Sequence, residues 1–182
     1  MSEPLTDPGP STPDDADWTW VLTRPCPDCG FDAAATEPAD VPAILRDAGQ
    51  RYAFALGRDG VRTRPAEGVW SPLEYACHVR DVCDVMRGRL EQILAGGGEV
   101  VRFANWDQDE TAVERQYWRS DPDVVAREVT AAFEAAATAY ALPSGTQWEW
   151  PALRSNGSEF TARTLTLYFV HDIHHHLWDV TA

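Results

Sequence analysis

Apolar residues recur at three- and four-residue steps along four stretches of this chain, the period of a helix that buries one face. The first stretch runs from about Val41 to Leu56, with Ile44, Leu45, Ala48, Tyr52 and Leu56 on its stripe. Asp40 stands at its cap position, and Pro42 is tolerated in a first turn. The second stretch has the clearest start. Ser71 is placed to cap it, Pro72 occupies the first helical position, and Glu74 completes a capping box. Its stripe of Leu73, Cys77, Val82, Met86, Leu90 and Leu94 continues to the stop at Gly96-Gly97-Gly98. Ser120 or Asp121 caps a third, Ala-rich helix that reaches Leu142 before Pro143-Ser144-Gly145. A fourth helix is expected from about Thr161 to Trp178.

The segments between them carry weaker signals. Residues 1–17 hold four prolines and five acids with Leu5 as their one large apolar residue, the composition of a disordered tail. The TWVLTR stretch alternates like a short extended piece, and Pro25-Cys26-Pro27-Asp28-Cys29-Gly30 predicts a tight turn. Residues 99–120 form a long connection, partly helical around Thr111 to Trp118, whose aromatics favour a folded crossover. Residues 146–159 carry Trp148 and Trp150 and predict an irregular loop. The expectation is an all-α four-helix bundle over residues 18–182 as one domain, with a long connection between helices two and three and a short irregular N-terminal extension.

Composition narrows the function. Fifteen Arg and no Lys stand against 29 Asp and Glu, a formal charge of −14. Nucleic acid and anionic lipid both demand clustered positive charge, so neither is expected as a partner. The 182 residues, 44% of them hydrophobic, suffice for a buried core without disulfides. No apolar run is long enough to span a membrane and no signal sequence opens the chain, so a cytoplasmic protein is expected.

Chemistry concentrates in the histidines. Four of the five, His171, His174, His175 and His176, lie in the stretch FVHDIHHHLWDV. Residues four apart share a helical face, so His171 and His175 can aim two imidazoles at one atom. Tyr168 and Trp178 extend that face inward, His174 lies near it, and His176 is expected to turn away. His78 sits beside the apolar stripe of the second helix. Three neutral imidazoles converging in a bundle core make a transition-metal site with open positions. The alternatives are core histidines with satisfied hydrogen bonds and a His-rich helix end facing the helix dipole. Asp81, Asp179 and His174 are candidates to orient the ligands from behind. Trp106, Tyr168 and Arg80 are candidates to line a substrate pocket, Arg80 by facing a carboxylate. Cys26 and Cys29 look like half of a zinc knuckle. A structural turn, a half-site completed by a histidine or another subunit, and redox use or access to the bundle metal are its readings. Cys77 and Cys83 are placed too far apart to complete it.

EGVWSPLEYACHVRDV resembles the second-helix signature of the DinB/YfiT-like metalloenzymes, and FVHDIHHHLWDV resembles their H-x-x-x-H in the fourth helix. The likeness extends from about Val41 to Trp178, although the Gly-Gln that often follows the last His pair is replaced by Leu177-Trp178. The resemblance implies a four-helix bundle, often a homodimer, with His78, His171 and His175 as ligands to zinc or to nickel, iron or manganese. Relatives of assigned activity are mostly thiol-dependent transferases or isomerases. The implied reaction is therefore transfer of a low-molecular-weight thiol, of the mycothiol type, to a small electrophile. A metal with an open position can bind a thiol and hold it as thiolate near neutral pH. An isomerase of the maleylpyruvate type and a non-catalytic metal- or ligand-binding bundle are the alternatives.

Overall fold

Ser71 accepts a hydrogen bond from the Glu74 amide while the Glu74 carboxylate accepts from the Ser71 amide. This capping box starts the longest helix in a computed structural model that describes residues 6–14 and 16–181. Among the described residues the α-helices are, in order, five: α1 (Val41–Ala55), α2 (Pro72–Ala95), α3 (Gln108–Glu114), α4 (Pro122–Tyr140) and α5 (Ala162–Thr181). The four long ones lie where the periodicity places them and form a bundle in which α1 and α2 each pack against both α4 and α5. Tyr52, Phe133, Tyr140, Phe169, Leu90 and Ile173 fill its centre. The tyrosine hydroxyls there remain satisfied, since Tyr52 donates to the Ile173 carbonyl at 2.9 Å and Tyr140 to the Met86 carbonyl at 3.0 Å. Among the described residues no helix is long and apolar enough to cross a membrane.

The connecting segments correct an all-α reading. A three-stranded sheet pairs β1 (Val101–Phe103) parallel to β2 (Pro151–Arg154), and β2 antiparallel to β3 (Glu159–Thr161). The expected irregular loop at 146–159 is therefore largely strand and turn. Its Ser155-Asn156-Gly157-Ser158 turn needs a positive φ at Gly157, which adopts +94°. Ala152 and Phe160 are paired across β2 and β3, and both are buried. Strands this short carry too few alternating positions to be distinguished from loop by pattern. The helix expected around 111–118 is α3, shifted toward the N-terminus because Asp107 caps it by accepting from the Glu110 amide. The extended piece expected near TWVLTR is instead a 3₁₀ turn, Trp18–Leu22, which Asp17 caps from the Thr19 amide.

Within the span expected as a tail, residues 1–5 and 15 lie outside the described residues. Of the remainder, Thr12 donates its amide to the Gly68 carbonyl at 2.8 Å, and Ser11 donates to Asp109 at 2.9 Å. The segment from Trp18 onward lies along α5. That placement gives α5, besides its packing on α1, one side against α2 and one against the N-terminal segment.

Candidate metal centre

Two groups of metal-ligand side chains converge on α5, one from each of those sides. Successive helical residues are turned by about 100°. His171 and His175 therefore share one side, while Asp172 and His176 share the next.

The first group comprises Asp172, His176 and His78, with one donor atom of each within 4.8 Å of the others. His78 is wholly buried on α2, between the rings of Trp70 and Trp106, with centroids 5.1 and 5.6 Å away. Its Nε2 lies 3.8 Å from Asp172 Oδ2, and His176 Nε2 lies 3.6 Å from Asp172 Oδ1. These gaps are too long for hydrogen bonds. Both ring nitrogens of His78 and Oδ2 of Asp172 are buried without a hydrogen-bond partner. Uncompensated burial of such groups costs free energy, and a shared cation would satisfy His78 Nε2 and Asp172 Oδ2, though not His78 Nδ1. Burial pushes the His78 pKa well below its ordinary value, leaving a neutral ring with a lone pair to give. Burial also raises the Asp172 carboxyl, against the opposing pull of His176 and His175. For His176, burial lowers the pKa but is outweighed by Asp179 and Asp172. The His176 Nδ1 and Asp179 Oδ2 are 2.9 Å apart, an arrangement that aims Nε2 at the group.

The second group comprises Cys26, Cys29, His171 and His175, again with donor atoms within 4.8 Å. The two cysteines come from the tight turn, in which the Gly30 amide donates to the Cys26 carbonyl at 2.9 Å and the Cys26 amide to the Phe31 carbonyl at 2.8 Å. Gly30 closes it at φ +75°. Burial pushes the Cys29 thiol up to about 11, and burial with the neighbouring histidines lowers His171 to about 4.

The set implied by the resemblance, His78 with His171 and His175, is thus divided in the structure between two groups. His176, expected to turn away, is instead mostly buried, held between Asp179 and Asp172 and 5.0 Å from the Tyr75 ring. The sequence reading allowed the helix one inward face, and α5 is covered by the N-terminal segment as well as by α1 and α2. Asp179 contacts His176. Asp81 is engaged elsewhere, accepting from the Tyr117 hydroxyl and pairing with Arg80 and Arg115. Arg80 pairs with Asp81 and Glu128. His174 is half-buried, its ring 6.3 Å from Phe31, and belongs to neither group. Cys77 and Cys83 are buried and free.

A cavity of about 420 Å³ opens over both groups, with Trp106, Tyr168, His171, Asp172, His175 and His176 in its walls. A smaller one of about 80 Å³ continues beside His78 and is lined by Arg89 and Arg154. Sequence reasoning passed over Arg89, Arg154 and Asp172. The one available signal was that Asp172 and His176 share the four-residue spacing of His171 and His175.

The profile of the DinB superfamily matches residues 45–180. The chain belongs to the DinB superfamily. Among solved structures, this DinB chain is similar to YfiT from Bacillus subtilis, described as a probable metal-dependent hydrolase with an unusual four-helix bundle topology. The TM-score is 0.69 at 15% identity, over 79% of this chain and 83% of that one. At that identity the likeness establishes the fold. No curated protein matches the chain. Its DinB fold and its clustered His, Cys and Asp donors together provide for binding of a divalent metal and give the protein enzymatic potential.

Proposed function

We propose that this DinB protein is a divalent-metal-dependent enzyme that transfers a low-molecular-weight thiol to a small anionic electrophile. The carrying observation is the convergence at a polar cavity of metal-ligand atoms from His78, Asp172 and His176, with those of His78 and Asp172 buried and unpartnered. Two imidazoles and one carboxylate suit zinc, nickel, iron or manganese and leave positions open. A metal bound there supplies Lewis acidity and lowers the pKa of a thiol or water beside it.

The chain's own residues then define the substrate. Arg154 donates to Asn156 and Ser158, and buried Arg89 donates to the Ala104 carbonyl. Among the described residues neither guanidinium has a carboxylate partner, although the chain carries net charge −14. The acids near them have other work. Asp107 caps α3, Asp109 accepts from Ser11, and Asp14 accepts from the Trp18 indole. An anionic substrate group therefore has two cationic neighbours beside the metal ligands. Trp106 and Tyr168 wall off its apolar part. In the reaction the sulfur–carbon bond forms as the carbon–carbon π bond of an unsaturated acid opens, and the thiol proton passes, directly or by way of water in the cavity, to the other carbon of that bond.

Hydrolysis is a second reading, supported by the fold shared with YfiT, with water in place of the thiol. The two separate in one assay. Metal-loaded protein is mixed with an unsaturated carboxylic acid or an ester of one, with and without a thiol, and products are weighed by mass spectrometry. A metal-dependent thiol adduct, lost in His176→Ala and requiring more substrate in Arg154→Gln, is the expected result. Cleavage of the ester without thiol establishes the hydrolase reading instead. Rearranged acid with the thiol recovered marks an isomerase, and no turnover with any metal leaves a binding protein.

A further inference from the structure

The turn at Cys26–Cys29 and the adjacent side of α5 lie outside the reaction just described. We propose that Cys26, Cys29, His171 and His175 bind a second metal ion, zinc, in a closed tetrahedral site that clamps the N-terminal segment onto α5.

The donor set is the first reason. Two thiolates and two imidazoles complete a tetrahedron and leave no position for water, the composition of structural zinc sites. The spacing agrees. Sulfur at about 2.3 Å and nitrogen at about 2.0 Å from a shared ion stand roughly 3.5 Å apart in tetrahedral geometry, and Cys26 Sγ lies 3.6 Å from His175 Nδ1. Burial is the second reason. Cys26 is 1% and His171 4% exposed, and His171 Nε2 has no hydrogen-bond partner. Zinc binding would release the two thiol protons to solvent. The doubly positive ion and two thiolates then sum to zero charge, which a site this enclosed can hold.

The surroundings give the clamp a consequence. The Trp18 ring lies 5.6 Å from His171 and 5.2 Å from His175, and Phe31 lies 5.6 Å from His171. Asp14, Ala16 and Trp18 also form one wall of the larger cavity. A filled clamp therefore holds that wall in place over Asp172 and His176. The two sites are interleaved on α5 yet share no ligand. Occupancy of the clamp does not depend on the proposed reaction.

The test uses untagged full-length protein, stripped by chelation and titrated with cobalt(II) as a spectroscopic substitute for zinc. Wild type should take up two equivalents, one giving thiolate-to-cobalt charge-transfer absorption that zinc abolishes. The Cys26→Ser, Cys29→Ser double variant should lose that absorption and one equivalent while keeping the other. His176→Ala should keep the absorption and lose the other equivalent. Absence of the charge-transfer band in wild type, or its persistence in the double variant, overturns the clamp. A wild type that binds one equivalent with the band intact upholds the clamp and overturns the metal site of the reaction. Should the double variant fail to fold, alkylation of Cys29 in wild type decides. Zinc should suppress it and a chelator restore it, and an alkylation rate indifferent to zinc overturns the proposal.

Discussion

Glu74 closes the capping box of α2 and also accepts from Arg64, with side-chain nitrogen and oxygen 2.5 Å apart. Burial raises its pKa, but the hydrogen bonds from Arg64 and Ser71 overcome that and hold it below the ordinary carboxylate value. A depressed folded-state pKa contributes stability above the unfolded-state value and loses it as pH falls through the folded one. Both side chains are largely shielded from water, so removing one strands the other's charge. Arg64→Ala should cost about 3 kcal/mol near pH 7 and less near pH 3, because the contribution of the pair fades as pH falls toward the lowered pKa of Glu74. Denaturant melts at the two pH values check this, and an equal loss at both would refute the ion-pair account. The same residue-by-residue view separates the histidines. His176 has Asp179 behind it, whereas buried His78 has no hydrogen-bond partner at either nitrogen.

Helix α1 packs tightly on α4 at Gly49, where an added Cβ would stand 2.8 Å from Phe133 Cβ. Phe133 also stacks on Tyr52 at 5.7 Å, so it has little freedom to withdraw. Gly49→Ala raises intrinsic helix propensity by up to about 1 kcal/mol, yet should destabilise the protein by about 1–3 kcal/mol through overpacking. A higher melting temperature for the variant would show that the α1–α4 contact yields. At this scale the four long helices were legible because each carries several turns of apolar stripe and definite punctuation, as with Ser71, Pro72 and Gly96. Strands β1 to β3 are three or four residues long and were not. Their pairing joins Val101 to Ala152 across about fifty residues of sequence, which no local pattern encodes.

For the whole molecule, the N-terminal segment matters as much as the bundle. It covers the side of α5 that carries His171 and His175 and leaves Asp172 and His176 facing α2. If the clamp holds it there, chelation should speed amide hydrogen exchange across residues 18–31 while leaving α1 and α4 protected. Unchanged exchange in that segment would mean that its packing, through Trp18, Val21 and Phe31, suffices without metal. The cavity is likewise a product of assembly. Its walls come from the N-terminal segment, the connection around Asn105 to Asp109, the β2–β3 turn and α5.

The sequence by itself determined the four long helices, the DinB membership, and the short list of histidines and cysteines able to hold metal. Those properties are local, written in apolar spacing, caps and motif order. Which donors meet was decided by the tertiary structure alone. A one-residue step along α5 turns a side chain by about 100°, and the sides of that helix that meet α2 and the N-terminal segment exist only once distant segments have packed on it. Periodicity could show that His171 pairs with His175. Only the fold could bring Cys26 and Cys29 to them, and His78 to Asp172 and His176.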